Sequence, residues 1–165
     1  MPGPSVLLDT NILISGLVFS KGNEHIILKM AEEGEITLVL PEFVRKEAER
    51  VLAERFAGYE ALLDVFLSRL SYTFVGWDDL EGLLPRCFGR VRDRKDVPFL
   101  AAILVSRPEF AVTGDKELRE DLNGCEEISG TKICSSKEFL EEFKEHIEKV
   151  ESLNIKMIKF NAEGV

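Results

Sequence analysis

The chain reads as an α/β protein with a central, mostly parallel sheet, and three observations predict it. Short apolar runs, "SVLL", "ITLVL" and "FAVTG", are each cut off by Asp, Pro or Gly. Segments with apolar residues three and four apart stand between those runs. The first run, Val6-Leu7-Leu8, is continuously apolar, as a strand covered on both faces must be.

Residues 5–8 form the first predicted strand, followed by a helix around 11–17. In "KGNEHIILKMAEEGE" (21–35), a turn at Gly22-Asn23 leads into Ile26, Ile27, Met30 and Ala31 at helical spacing, and Gly34 stops the helix. "ITLVL" (36–40) is a strand that Pro41 ends. The same proline suits the start of the amphipathic helix 41–56, where a missing N–H costs nothing. Leu62, Leu63, Phe66, Leu67 and Leu70 define a further helix over 60–70. Residues 71–95 are irregular, with scattered glycines, Trp77 and a basic run.

"DVPFLAAILVS" (96–106) is apolar nearly all round and so reads as a buried helix. "FAVTG" (110–114) and "TKICS" (131–135) are short strands. Residues 136–153 form a helix with Phe139, Leu140, Phe143, Ile147 and Val150 on one face, and "NIKMIKF" (154–160) adds a final strand.

At 165 residues the chain fits one domain with a core of its own, and 45% hydrophobic with 31% charged residues is the balance of an ordinary soluble protein. Cys87, Cys125 and Cys134 offer neither a disulfide framework nor a CxxC metal spacing, and His25 and His146 stand far apart. Reduced thiols, no signal-peptide layout and no apolar run of about 20 residues point to the cytoplasm and away from a membrane. A net charge of −9 means that any polyanion would need a local basic patch or bound cations.

Four carboxylates occupy places that call for explanation. Binding sites in open parallel sheets form at the C-terminal strand edges, and Asp9 and Asp115 each directly follow a predicted strand. Either alone reads as a helix N-cap; two at matching strand ends favour a site. On helix 41–56 the inward stripe is Phe43, Val44, Ala48, Val51 and Leu52, and Glu47 falls inside it, which implies a cation, metal or arginine opposite. Asp96 opens the buried helix. Converging acids without His or Cys form a hard oxygen site suited to Mg²⁺ or Mn²⁺, which can activate water and neutralise a phosphodiester. "RCFGRVRDRK" runs directly into Asp96, so Arg86, Arg90, Arg92, Arg94 and Lys95 are candidates for phosphate-backbone contact.

"LLDTNILISGL", "RKEAERVL", "DRKDVPFLAAIL" and "FAVTGDKEL" stand in an order and spacing that resembles the PIN-domain family over residues 5–143, closest to its toxin branch in prokaryotic toxin–antitoxin pairs. The resemblance implies a three-layer α/β/α sandwich and a Mg²⁺- or Mn²⁺-dependent endoribonuclease. Asp9, Glu47, Asp96 and Asp115 would be its catalytic and metal-binding acids, and Asn11 and Thr113 the polar residues flanking the metal. It also implies an RNA substrate and a small antitoxin partner that inserts a basic residue among the carboxylates. Residues 1–143 are then one nuclease domain and 144–165 an extension packed on it, with the acidic helix 136–151 and apolar tail as either a homodimer face or a cover for the sheet.

The main alternative is a non-catalytic RNA- or partner-binding module on the same fold. A haloacid-dehalogenase-type phosphatase would need an aspartate where Asn11 stands, a receiver domain would need its acids clustered differently, and no GxGxxG or GxxxxGK[ST] supports nucleotide binding.

Overall fold

A computed structural model describes the backbone of residues 3–164, and the side chains within that range except those of 145–151, 153 and 154. Five short strands form one parallel sheet: β1 (Ser5–Leu8), β2 (Thr37–Pro41), β3 (Tyr72–Val75), β4 (Phe110–Val112) and β5 (Lys132–Cys134), in the order β3-β2-β1-β4-β5. Leu7 pairs with Val39 on one side and with Ala111 on the other, which places β1 at the centre. From β1 the chain first winds outward through β2 to β3, then returns to β4 on the opposite side. The strand order therefore reverses between β1 and β4, where open α/β sheets leave a crevice beyond their carboxyl ends.

The pleat divides the sheet residues between two cores. Val6, Leu8, Leu38, Leu40, Val112 and Cys134 belong to one cluster. It is shared with α1 (Thr10–Val18), α2 (Asn23–Glu32), α3 (Glu42–Arg55), α4 (Glu60–Ser68) and the first turns of α9 (Ser136–Glu163). Leu7, Val39, Val75, Ala111 and Ile133 face the other way. They pack with α5 (Trp77–Glu81), α6 (Leu84–Cys87), α7 (Val97–Ser106) and α8 (Lys116–Asn123). This is the three-layer α/β/α sandwich. Helix α7, apolar all round, is buried at Val97 and from Phe99 through Ile103. Helices α1 and α2 approach so closely that a Cβ on Gly16 would stand 2.7 Å from the Leu28 side chain and 2.8 Å from the Glu24 carbonyl oxygen.

Two expectations change. The irregular stretch 71–95 contains strand β3, hidden because its exposed Thr73 and Phe74 break the buried-strand pattern at the sheet edge. The strand expected at 154–160 is helical, part of a 28-residue α9. A capping box between Ser135 and Glu138 starts that helix, and extending a nucleated helix is easier than starting a new strand, whatever the local apolar spacing. Phe139 and Phe143 of α9 are buried as expected, whereas Ile147 and Val150 lie outside the described side chains. Further along, Ile155, Met157, Ile158 and Phe160 are exposed. Among the described residues no helix is long and apolar enough to cross a membrane.

Candidate active site

At the crevice beside β1 and β4 lies an open cavity of about 760 Å³, lined by Asp9, Thr10, Asn11, Phe43, Glu47, Asp93, Lys95, Asp96, Phe99, Gly114 and Asp115. The fold thus gathers all four acids singled out in the sequence, together with Asn11, on one concave surface. Asp9 stands where β1 ends, and its backbone N–H still donates to the Val112 carbonyl of β4. Its carboxylate is held at both oxygens. The Thr10 N–H donates to Oδ1 at 2.8 Å, and the Thr113 hydroxyl donates to Oδ2 at 2.8 Å. Thr113 is fully buried, and its Oγ1 in turn accepts from the Asp115 N–H at 3.2 Å.

Asp115 is both helix cap and cavity wall: its Oδ1 accepts from Leu118 N–H at 3.1 Å, at the start of α8. The cap reading and the site reading are therefore compatible. Asp96 differs. It sits at the N-cap of α7, yet its side chain makes no capping hydrogen bond, so the carboxylate is left for the cavity.

Glu47 corrects one expectation. It faces the cavity, as its place on the inward stripe implied, but it is exposed rather than buried, because the cavity is open on that side. Among the described residues no arginine pairs with it; the buried Thr10 hydroxyl donates to its Oε2 at 3.0 Å. Thr10, to which the sequence lent no role, thus contacts Asp9 through its N–H and Glu47 through its hydroxyl. Its position between Asp9 and Asn11 was the only available signal.

Electrostatics follow from crowding. Burial raises the Asp9 carboxyl, with Glu47 and Asp115 adding to the rise, while the bonds from Thr113 and Thr10 pull it back. Asp96, with no such donors, is pushed up to about 6 by burial and by the charges of Asp9, Asp93, Asp115 and Asp121. Burial is the larger cause of both shifts, and the neighbouring carboxylates add negative charge that a cation would relieve. The donor set is all oxygen, with no histidine or cysteine among it, which fits a hard divalent ion such as Mg²⁺ or Mn²⁺. Among the described residues, however, no three acidic, histidine or cysteine side chains close into a preformed metal cage.

The basic run divides. Lys95 reaches the cavity. Arg92 instead binds α8, donating to Asp121 and Glu120 at 2.9 Å each and to the Glu117 carbonyl at 3.2 Å. Arg90 is paired with Glu127. Arg86 lines a separate small cavity with Arg90 and Glu127, and Arg94 is exposed. The sequence pattern showed the cations but not the acids that engage two of them, those of α8 for Arg92 and Glu127 for Arg90. A residue not anticipated, Arg119, donates to the Thr113 carbonyl at 2.8 Å and so braces the end of β4 beside the site.

The family described as "PIN domain" matches residues 5–117. Among solved structures, the chain is similar to one titled "Crystal structure of VapBC2 from Rickettsia felis bound to a DNA fragment from their promoter". The match has a TM-score of 0.54 and 17% sequence identity, covering 79% of this chain and 98% of the other. No curated protein matches the chain.

Proposed function

The chain belongs to the PIN-domain family, and from that premise we propose that it is a divalent-metal-dependent endoribonuclease that hydrolyses RNA phosphodiester bonds. One observation carries the reading: Asp9, Glu47, Asp96 and Asp115, from four separate parts of the chain, line one open cavity at the point where the strand order reverses.

In this reading Asp9 and Asp96 hold the principal Mg²⁺ or Mn²⁺, and Glu47 and Asp115 complete the acidic set. A divalent ion bound there would supply charge neutralisation at the phosphodiester and a lowered pKa for water. Thr113 and Thr10 keep the Asp9 carboxylate in one orientation, and Thr10 restrains Glu47 as well. Asn11 offers an amide at the rim, and Lys95 offers the cavity a cation for a phosphate oxygen. Three free, buried cysteines suit a reducing cytoplasm.

The reading includes a place as the toxin of a toxin–antitoxin pair, supported by the likeness to a structure whose title names VapBC2. Its partner would be a small antitoxin, and a homodimer through the acidic helix 136–151 and apolar tail is one of two readings of that segment, the other being a cover for the sheet.

The test is cleavage of a mixed RNA pool by purified protein with Mg²⁺ or Mn²⁺, against EDTA and against Asp9→Asn. Metal-dependent cleavage lost in Asp9→Asn is the expected result. Equal cleavage by the variant would assign the activity elsewhere. RNA binding without cleavage at any metal concentration would favour the non-catalytic binding module.

A further inference from the structure

One feature of the cavity is not needed to hold a cation: its wall on the β2 side is aromatic. Phe43, one helical turn before Glu47, is half-buried and lines the cavity. Its ring meets Trp77 edge-on, with centroids 6.4 Å apart. Phe74, near the end of β3, has its ring carbon Cε1 3.7 Å from where a Cβ on Gly76, the residue before Trp77, would stand. Phe74 is 52% exposed, a large apolar surface left in water at the sheet edge. The register explains the grouping. Pro41 pairs with Val75, so the chain leaving β2 toward Phe43 and the chain leaving β3 toward Trp77 emerge side by side.

We propose that Phe43, Trp77 and Phe74 form a base-binding subsite, on which nucleobases next to the scissile phosphate stack while that phosphate lies over the carboxylates. The inference rests on the nuclease reading and adds residues that set how substrate is held. Aromatic faces accept any base, and each stacked base contributes about 1–3 kcal/mol.

The surrounding charges argue for bases rather than phosphates on this strip. Glu42 accepts from the Trp77 backbone N–H at 2.7 Å and pairs with Lys46 at 3.3 Å. Asp78 is exposed, and the exposed Asp79 accepts from the Gly76 N–H at 3.2 Å. A phosphate backbone is repelled by that acidic border, whereas a base presents no charge to it. Affinity contributed by this strip is therefore insensitive to salt, unlike phosphate contact at Lys95.

Trp77 is the only tryptophan, so its fluorescence reports on the strip directly. The experiment titrates full-length Asp9→Asn protein, which keeps RNA intact, with a short single-stranded RNA and with the same strand made abasic. The expected result is quenching of Trp77 by the base-bearing strand and about tenfold weaker binding of the abasic one. Adding Phe43→Leu should weaken the base-bearing strand about tenfold and leave the abasic one unchanged; the exposed Phe74→Ala should cost about threefold with no effect on folding. Equal affinity for the two strands, or base-bearing RNA bound undiminished by both variants, overturns the subsite. Parallel cleavage assays on protein retaining Asp9 separate the two ideas. Base-dependent binding without cleavage fails the nuclease reading alone, and cleavage with base-independent binding fails the subsite alone.

Discussion

The floor and the rim of the cavity are built differently. On the floor, Asp9 receives two hydrogen bonds from groups fixed in the sheet and first helical turn, and Thr113, Asp115 and Arg119 continue that network across the end of β4. At the rim, the Asp96 side chain makes no capping bond, and burial together with the charges of Asp9, Asp93, Asp115 and Asp121 raises its carboxyl to about 6. The floor is organised before any ligand arrives; the rim carries an electrostatic penalty that a cation would remove. The comparison teaches that two acids lining one cavity contribute differently: one as a positioned anchor, the other as a source of attraction.

The largest expected effect breaks the floor. Asp9→Asn should reduce metal-dependent RNA cleavage to background while circular dichroism remains that of the folded protein. An amide can accept from Thr113 but presents its own N–H₂ toward the Thr10 N–H, so the variant should be no more stable than the parent. Next, Thr113→Val keeps the shape but removes the donor to Asp9 Oδ2. We expect about 10–100-fold weaker metal affinity, measured by Mn²⁺ titration, and a loss of about 1–3 kcal/mol in urea unfolding. A Mn²⁺ affinity equal to the parent's would show that the floor is not held by this bond.

The rim gives the opposite sign. In metal-free protein the folded carboxyl of Asp96 titrates at about 6, above its ordinary 3.8. The folded state therefore holds the proton more tightly, and the associated stability is complete at low pH and lost as pH rises through about 6. Asp96→Asn should be more stable than the parent by about 1 kcal/mol near neutral pH, with the screened, partly open site keeping the gain small. The gain should vanish near pH 4. Urea unfolding in EDTA across that range checks it, and a pH-independent difference would refute the electrostatic account of the rim.

The smallest effect concerns the segment leading to the rim. Arg92→Ala removes its attachment to Asp121 and Glu120 on exposed surface. The melting temperature should drop slightly at low salt, and about 1 M salt should erase the difference.

Much of this was legible in the sequence. Asp9 and Asp115 sit directly beyond strands whose ends are punctuated in the sequence, and α7 declares its burial by being apolar all round. Glu47 was legible in direction only. Helical phase tells which way a side chain points, but whether that side is filled or open depends on elements far along the chain. Strand β3 escaped because a sheet edge exposes residues that a central strand buries. The ion pairs of the basic run were not legible, because the partners of Arg92 in α8 and of Arg90 at Glu127 lie far along the chain, where no local pattern can announce them.

What the sequence determined by itself is therefore the alternation of strands and helices, the positions where acids interrupt it and the depth of the central elements. Hydrophobic periodicity is local, and it encodes those features within a few turns. The tertiary structure alone decided that β1 lies between β2 and β4, that Thr10 meets Glu47 across 37 positions, and that Phe43 meets Trp77 at the cavity wall. Polar and aromatic partners are chosen by strand order and helix packing, which bring distant residues within a few ångströms. A pattern read along the chain carries the period of each element, not its neighbours.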